Sequence, residues 1–313
     1  MNSSRSILFN TGSLLALLLL VLVLPEYHQG NFARIMVLAC FACAYNISFG
    51  YTGLLSLGHA MFFSAGLYGV GLTVQLLDFP AELGFLIGIG CGAVLAFAVG
   101  LLALRTTGVS FMIVTLMFSQ AFFLTILLFG EVTRGDEGFV IAQAKRTFFG
   151  VDLSSDAVRL LVSWVLICVC VLICQACVRS RLGKVLIAIR ENEERTRMLG
   201  YDVFRAKLYA LTLSGAMAAL AGGAYGLLFG YAGATFASVQ YSIFPLLWVL
   251  LGGAGTLVGP LIGTALMFYL IDISSGITSA YMLVAGVALV LLTLYVPEGI
   301  VGTLRRRYLP WIQ

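Results

Sequence analysis

The residues able to do chemistry are few and lie in apolar surroundings. Seven cysteines, Cys40, Cys43, Cys91, Cys168, Cys170, Cys174 and Cys177, all fall within apolar runs. Cys40/Cys43 and Cys174/Cys177 have the C-x-x-C spacing of zinc ligands or redox dithiols. Their flanks, LACFACAY and LICQACV, hold no second ligand pair and no acidic or histidine neighbour, so they read as filler of membrane helices. His59 has three candidate roles: a hydrogen-bond partner that holds local structure, a contact to a transported solute, or a proton carrier. The structural role is preferred. With His59, the polar residues Asn46, Tyr51, Ser56, Thr115 and Gln120 lie inside apolar segments and are candidates to line a substrate path. Gln120 suits a pairing across helices equally well, and Asp272, at the end of a span, reads as solvated. No nucleophile–base pair and no metal constellation is legible, and the glycine-rich runs lack the Lys-Ser/Thr ending of a phosphate-binding loop. Catalytic residues, a bound metal and a cofactor held by this chain are therefore not expected. Energy for any transport must come from a partner or an ion gradient.

The elements that position these residues follow from composition. Of 313 residues, 61% are hydrophobic and 10% charged, well under the roughly 25% charged of a soluble domain. Thirty-two charged residues cannot cover a water-soluble globule. A soluble enzyme, a nucleic-acid-binding domain and a disordered chain are excluded, leaving an all-α polytopic membrane protein in contact with lipid. The 35 glycines suit membrane helices that pack closely or break.

Apolar stretches long enough for a core of roughly 30 Å, about 20 helical residues, recur along the chain. They are Ile7–Leu24, Asn31–Phe49, Leu55–Leu77, Glu82–Leu104, Val109–Phe129, Val158–Val178 and Leu208–Phe229, then Tyr241–Ile273, and last Gly276–Tyr295. No small-x-small cleavage site follows Ile7–Leu24, so it reads as a retained first helix. Tyr241–Ile273 is too long for one span and reads as two short segments meeting at GGAGTLVGP, Gly252–Pro260. Basic residues set orientation. Arg5, Arg105, the loop 179–207 and Arg305, Arg306 and Arg307 hold 13 of the 18 bases. Ten spans place all four regions, and both termini, on the cytoplasmic side; nine spans with a re-entrant segment is the competing count. The acid-rich loop 130–156 then faces outward.

Ten spans divide into two inverted five-helix halves of one domain: 1–130, then 157–300, with a cytoplasmic tail at 301–313. Each half has a glycine-broken segment. The first, Gly50–Gly66, contains Gly50, Gly53 and Gly58; the second, Gly252–Gly263, contains Gly252, Gly253, Gly255 and Gly259. Paired broken segments in opposed halves point to a transporter's substrate path, although glycines of this kind also serve close packing.

The loop 179–207 carries eight bases and four acids. Residues 181–199 suit one helix of about four to five turns. Leu182, Leu186 and Ile189 form an apolar stripe, and Arg190/Glu194 and Glu193/Arg197 stand at i,i+4 spacing. Gly200 is placed to end it at C′. Short aliphatics and charges of mixed sign favour docking to a cytoplasmic partner over a membrane-surface anchor.

These residues resemble the permease subunits of bacterial ABC importers for branched-chain amino acids. The loop is similar to their ATPase-docking segment at Gly183, Lys184, Ala188, Ile189, Arg190, Glu191, Asn192, Glu193 and Gly200. Asn46–Phe63, NISFGYTGLLSLGHAMFF, looks like the corresponding segment of the LivM-type subunit, and Thr133–Phe139 and Gly252–Pro260 add two further matches in the same order. Arg134 stands where the family has Gly, and Thr196-Arg197 where small alanines are common. The resemblance implies an inner-membrane importer subunit without its own ATP site. Its partners would be a homologous LivH-type permease, two ATP-binding subunits holding ATP and Mg, and a periplasmic substrate-binding protein. Urea, short-chain amides and aromatic acids are alternative substrates within the family. An ion-coupled secondary transporter is the alternative from another class, but Asp78, Glu82 and Asp272 all fall at span ends rather than forming a mid-membrane carboxylate pair.

Overall fold

The computed structural model describes Gly12 and residues 25–278, 280–296 and 298–308. The expected first helix Ile7–Leu24, with Arg5, lies outside the described residues. The principal helices are α1 (Glu26–Asn46, continued by a π turn, Ile47–Tyr51), α2 (His59–Leu76), α3 (Ala81–Ala103), α4 (Val109–Leu128) and α5 (Asp156–Arg179). They continue as α6 (Arg181–Glu191), α7 (Glu193–Met198), α8 (Val203–Phe229), α9 (Val239–Gly252), α10 (Gly259–Ile277), α11 (Tyr281–Tyr295) and α12 (Gly299–Tyr308). Among the described residues, six helices are long and apolar enough to cross a membrane: Tyr27–Tyr51, α3, α4, α5, α8 and α10. The molecule is an all-α polytopic membrane protein.

Burial sorts the helices into centre and rim. α1 and α8 are enclosed by other helices, whereas α3, α4, α5 and α10 bury only about a third of their length or less. α8 packs on α2 and α3, and α1 on α5, α8 and α10. Small residues make these approaches close. Gly84, Gly88, Gly92 and Ala96 recur every fourth residue on the buried face of α3, where it meets α2 and α8. Proline starts helices where no amide partner is needed: Pro25 before α1, Pro80 before α3 and Pro260 in the first turn of α10.

Contacts between loops divide the bundle into two ends. At one, the segment 130–156 meets the α2–α3 turn through Lys145–Asp78 and meets the end of α8 through pairing of Phe139–Val140 with Tyr231–Ala232. His28 and Tyr27, at the start of α1, reach Tyr269 and Asp272 of α10 at the same end. At the other end lie both chain breaks, α6, α7 and α12. The base-rich loop is thus at one end and the acid-rich loop at the other.

The loop 181–199 departs from the single helix expected. It breaks at Asn192, whose backbone is extended (φ −160°, ψ 105°). The Asn192 Oδ1 accepts from Arg195 N at 2.9 Å, capping a second short helix. Asparagine competes with the helix backbone in this way, and here the cap wins. The expected Arg190–Glu194 pair is lost with the continuous helix, because the two residues no longer share a face. Glu193–Arg197, within α7, forms at 3.2 Å. Gly200 sits at φ +87° after the last turn, as expected of a C′ residue. Asn192→Ala should destabilise α7 by about 1 kcal/mol. Amide hydrogen exchange should then rise across 193–198 and not across 182–189; equal exchange in both stretches would show that Asn192 does not divide the helix.

Candidate functional site

The two glycine-broken segments meet. α1 ends at Asn46, and the chain passes through the π turn and an irregular stretch, 52–58, before α2 starts at His59. α9 ends at Gly252, and the chain resumes as α10 at Gly259. Asn46, 2% exposed, bridges the breaks: its Nδ2 donates to the Thr256 carbonyl at 2.8 Å, and its Oδ1 accepts from Gly255 N at 2.9 Å. The carboxamide therefore pairs with the second break as a neighbouring peptide would. It satisfies two backbone groups that no helix satisfies.

The crossing needs glycine at two positions. A Cβ on Gly50 would overlap the Asn46 carboxamide and come 2.6 Å from Gly255 N. Gly255 has φ +78°, and a Cβ there would come 2.8 Å from Arg190 Nη1. Each break also carries one hydroxyl that accepts an amide at the entry to the next helix: Ser56 Oγ from Gly58 N at 3.2 Å, and Thr256 Oγ1 from Gly259 N at 3.1 Å. Ser242 of α9 accepts from Ala60 N at 3.0 Å, so a residue of the second half closes the start of α2. Thr115 of α4 accepts from Leu57 N at 3.1 Å.

His59 is fully buried one turn from the crossing. Ser214 of α8 donates its single proton to the Ala44 carbonyl at 2.6 Å and therefore accepts from His59 Nε2–H at 2.8 Å. That hydrogen bond fixes the Nε2–H tautomer. The rings of Tyr45 and Phe62 stand edge-on to the imidazole, with centroids 4.7 and 5.4 Å away. His59 thus ties α2 to α8, and through Ser214 to α1. Tyr51, Ser56 and Thr115 are likewise enclosed by protein, and Gln120 is half-buried on α4. Asp272 accepts from Tyr27 at 3.2 Å.

The loop residues differ in what they touch. Arg190 is an exposed residue whose Nη1 reaches back and donates to the Gly50 carbonyl. Glu193 pairs with the buried Lys207 of α8 and with Arg197. Lys184 and Glu191 are exposed. Gly183 is buried in the elbow between α5 and α6, its amide bonded to Ser180 Oγ at 3.1 Å, and Ala188 is half-buried. The stripe residues Leu186 and Ile189 pack on the chain's own core. Past the charged stretch, Met198, Leu199 and Tyr201 are 83%, 70% and 51% exposed, an apolar tip not anticipated from the sequence. Ser214 and Ser242 were also not anticipated: short hydroxyl side chains in apolar helices give no spacing signal. Arg134 has φ +59°, a left-handed conformation that costs a non-glycine residue roughly 1–2 kcal/mol, which accounts for glycine in the similar motif. Among the described residues, no group of three His, Cys, Asp or Glu comes together to hold a metal ion.

Residues 30–294 match the family described as branched-chain amino acid transport system / permease component. The chain is 29% identical over 288 residues to the high-affinity branched-chain amino acid transport system permease protein LivM of Escherichia coli K12. That alignment covers 83% of this chain and 66% of the relative. It is also 29% identical over 289 residues to the LivM protein of Salmonella typhimurium, with the same coverage. The chain thus spans just under two thirds of the length of these relatives. No solved structure matches it.

Asn46→Ala should orphan the Gly255 amide and the Thr256 carbonyl at a cost of about 1–3 kcal/mol each. The melting temperature of the purified protein should fall clearly, and that of Gln120→Ala should not. Equal melting of Asn46→Ala and the wild type would remove the clamp.

Proposed function

Since the chain belongs to the family of permease components of branched-chain amino acid transport systems, we propose that it is a membrane-spanning subunit of an ABC importer. It would move branched-chain amino acids inward by alternating access. Ten spans in two inverted five-helix halves, with both termini cytoplasmic, complete the reading. The working assembly adds a homologous permease, two ATP-binding subunits that hold ATP and Mg, and a periplasmic binding protein, in the inner membrane.

The observation that carries the mechanism is the Arg190 bond to the Gly50 carbonyl. It joins the loop proposed to receive the ATPase directly to the crossing of the two breaks. In this reading the crossing is the inner closure of the path, with Gly50, Gly53, Gly58, Gly252, Gly253, Gly255 and Gly259 at or beside it. Asn46 latches it, and Tyr51, Ser56, His59, Thr115 and Gln120 support or line the route behind. Lys184, Glu191 and the exposed tip Met198–Tyr201 meet the ATPase, while Arg190 and Glu193 transmit its movement to the core. A latch of a few hydrogen bonds suits a closure that must open, since each contributes only about 1 kcal/mol net.

Proteoliposomes holding the full assembly should accumulate leucine when ATP is supplied; no ATP-dependent uptake of leucine, isoleucine or valine would reject the substrate class. Arg190→Ala with Glu193→Ala should leave the assembly intact while lowering uptake at least ten-fold and uncoupling ATP hydrolysis from substrate. Normal substrate-stimulated hydrolysis in that double variant would reject the transmission role. Cysteines placed at Arg134 and Arg197 should label from the periplasm and cytoplasm respectively, and reversed access would reject the orientation.

A further inference from the structure

Three guanidiniums converge on the end of α8, at the end of the bundle away from the crossing. Arg34 of α1 and Arg159 of α5 both stand over the Phe229 ring, 5.4 and 5.6 Å from its centroid. Arg146 lies against the next residue, Gly230, where a Cβ would come 2.7 Å from its Nη1. Acid neutralises only part of this charge. Arg159 is held by Asp156 Oδ1 and by the Ser154 carbonyl, each at 2.9 Å. Asp152 lies near Arg146, but its oxygens accept from the Ser154 amide and hydroxyl. Among the described residues, no ion pair forms at Arg34 or Arg146.

Two donors in this cluster are buried with nothing to accept them: the Nε atoms of Arg146 and Arg159. Burial and the like charge of Arg159 hold the Arg146 pKa below the ordinary arginine range. A buried donor without an acceptor is costly, and an anion seated against these two partly exposed guanidiniums would offset that cost and the repulsion between them.

An apolar groove of about 270 Å³ adjoins the cluster, lined by Phe85, Leu153, Val162, Val165, Leu166 and Leu228 among others, all apolar. Its direction follows from the sequence. Val162, Val165 and Leu166 follow Arg159 inward along α5, and Ala224, Leu227 and Leu228 precede Phe229 on α8. The groove therefore runs from the guanidiniums toward the middle of the bundle for about 10 Å, at 1.5 Å per residue. Val165, 43% exposed, opens it to the lipid side.

We propose that this is a phospholipid site, with the phosphate on Arg146 and Arg159, Arg34 beside it, and one acyl chain in the groove between α3, α5 and α8. A free anion would satisfy the guanidiniums and leave the groove unexplained; a neutral lipid would fill the groove and leave the buried donors unpaired. The site stands on the bundle itself and does not depend on which solute crosses it.

The test is native mass spectrometry of the full chain with its co-purifying subunits, delipidated and offered phosphatidylglycerol, diacylglycerol of the same chain length, or inorganic phosphate. Phosphatidylglycerol should be retained at least ten-fold better than diacylglycerol. Arg34→Gln with Arg146→Gln should reduce its retention about ten-fold, and Val165→Trp, which fills the groove, should also reduce it. Arg146→Lys should retain more lipid than Arg146→Gln. Matching elution and melting of each variant separate lost binding from lost folding; Val165→Trp reads the acyl half if the arginine variants unfold. Equal retention of diacylglycerol, full displacement by millimolar phosphate, or indifference to both sets of substitutions would each overturn the proposal.

Discussion

The arrangement depends on one buried carboxamide. Asn46 lies where α1 runs out of helix, and it spends both ends of its side chain on the backbone of a segment 210 residues away. Two stretches of broken helix inside an apolar bundle pose a severe problem, because unpaired peptide groups there cannot turn to water. Each break solves it in part with its own hydroxyl, Ser56 or Thr256, which takes one amide of the turn. The remainder is solved by pressing the breaks together, so that Asn46 serves as the missing peptide. Gly50 is then required, since only a residue without a Cβ lets the strands of the crossing approach this closely.

A crossing held this way differs from one made by packing. A hydrophobic contact is non-directional and yields gradually, whereas the Asn46 pair has one geometry and is lost when the segments slide. Arg190 adds a second polar tie, from outside the core, to the Gly50 carbonyl at the same crossing. On the opposite side of the second break, the C-terminal helix α12 presses Gly299 and Gly302 against Gly253. The second break is therefore held between two elements of the loop-bearing end, while both of its flanking helices remain intact.

Much of this was legible in the sequence, and the parts that were not share a cause. The broken segments Gly50–Gly66 and Gly252–Gly263 announce themselves, because glycine clusters and small polar residues interrupt apolar runs, and the structure narrows the breaks to 52–58 and 253–258. The stop at Gly200 follows from its place after a helical stretch. The structural use of His59 could be weighed from its surroundings, but its partner could not be named: Ser214 lies 155 positions away and looks like any serine in a membrane helix. The same holds for Ser242. The loop was misread for a local reason. Residues 181–199 have good helical periodicity, yet Asn192 caps forward and divides them, which turns Arg190 from a partner of Glu194 into a partner of the Gly50 carbonyl. Helical spacing identifies pairs only while the helix is continuous.

The central position of α8 explains how so small a set of polar contacts can organise the whole chain. Near its start Lys207 pairs with Glu193 of the loop; at mid-length Ser214 joins His59 of α2 to the end of α1; at its end Phe229 carries Arg34 and Arg159. From Lys207 to Phe229 the helix rises about 33 Å, close to the thickness of a bilayer core. Along that length it is packed by small residues, including Gly215, Gly222 and Gly223, whose Cα positions face the backbone or rings of α2 and α3 at contact distance. Such close packing resists bending, because an interior at crystal density has no free volume for a helix to bow into. The loop, the His59 tie and the arginine cluster therefore all bear on one closely packed helix.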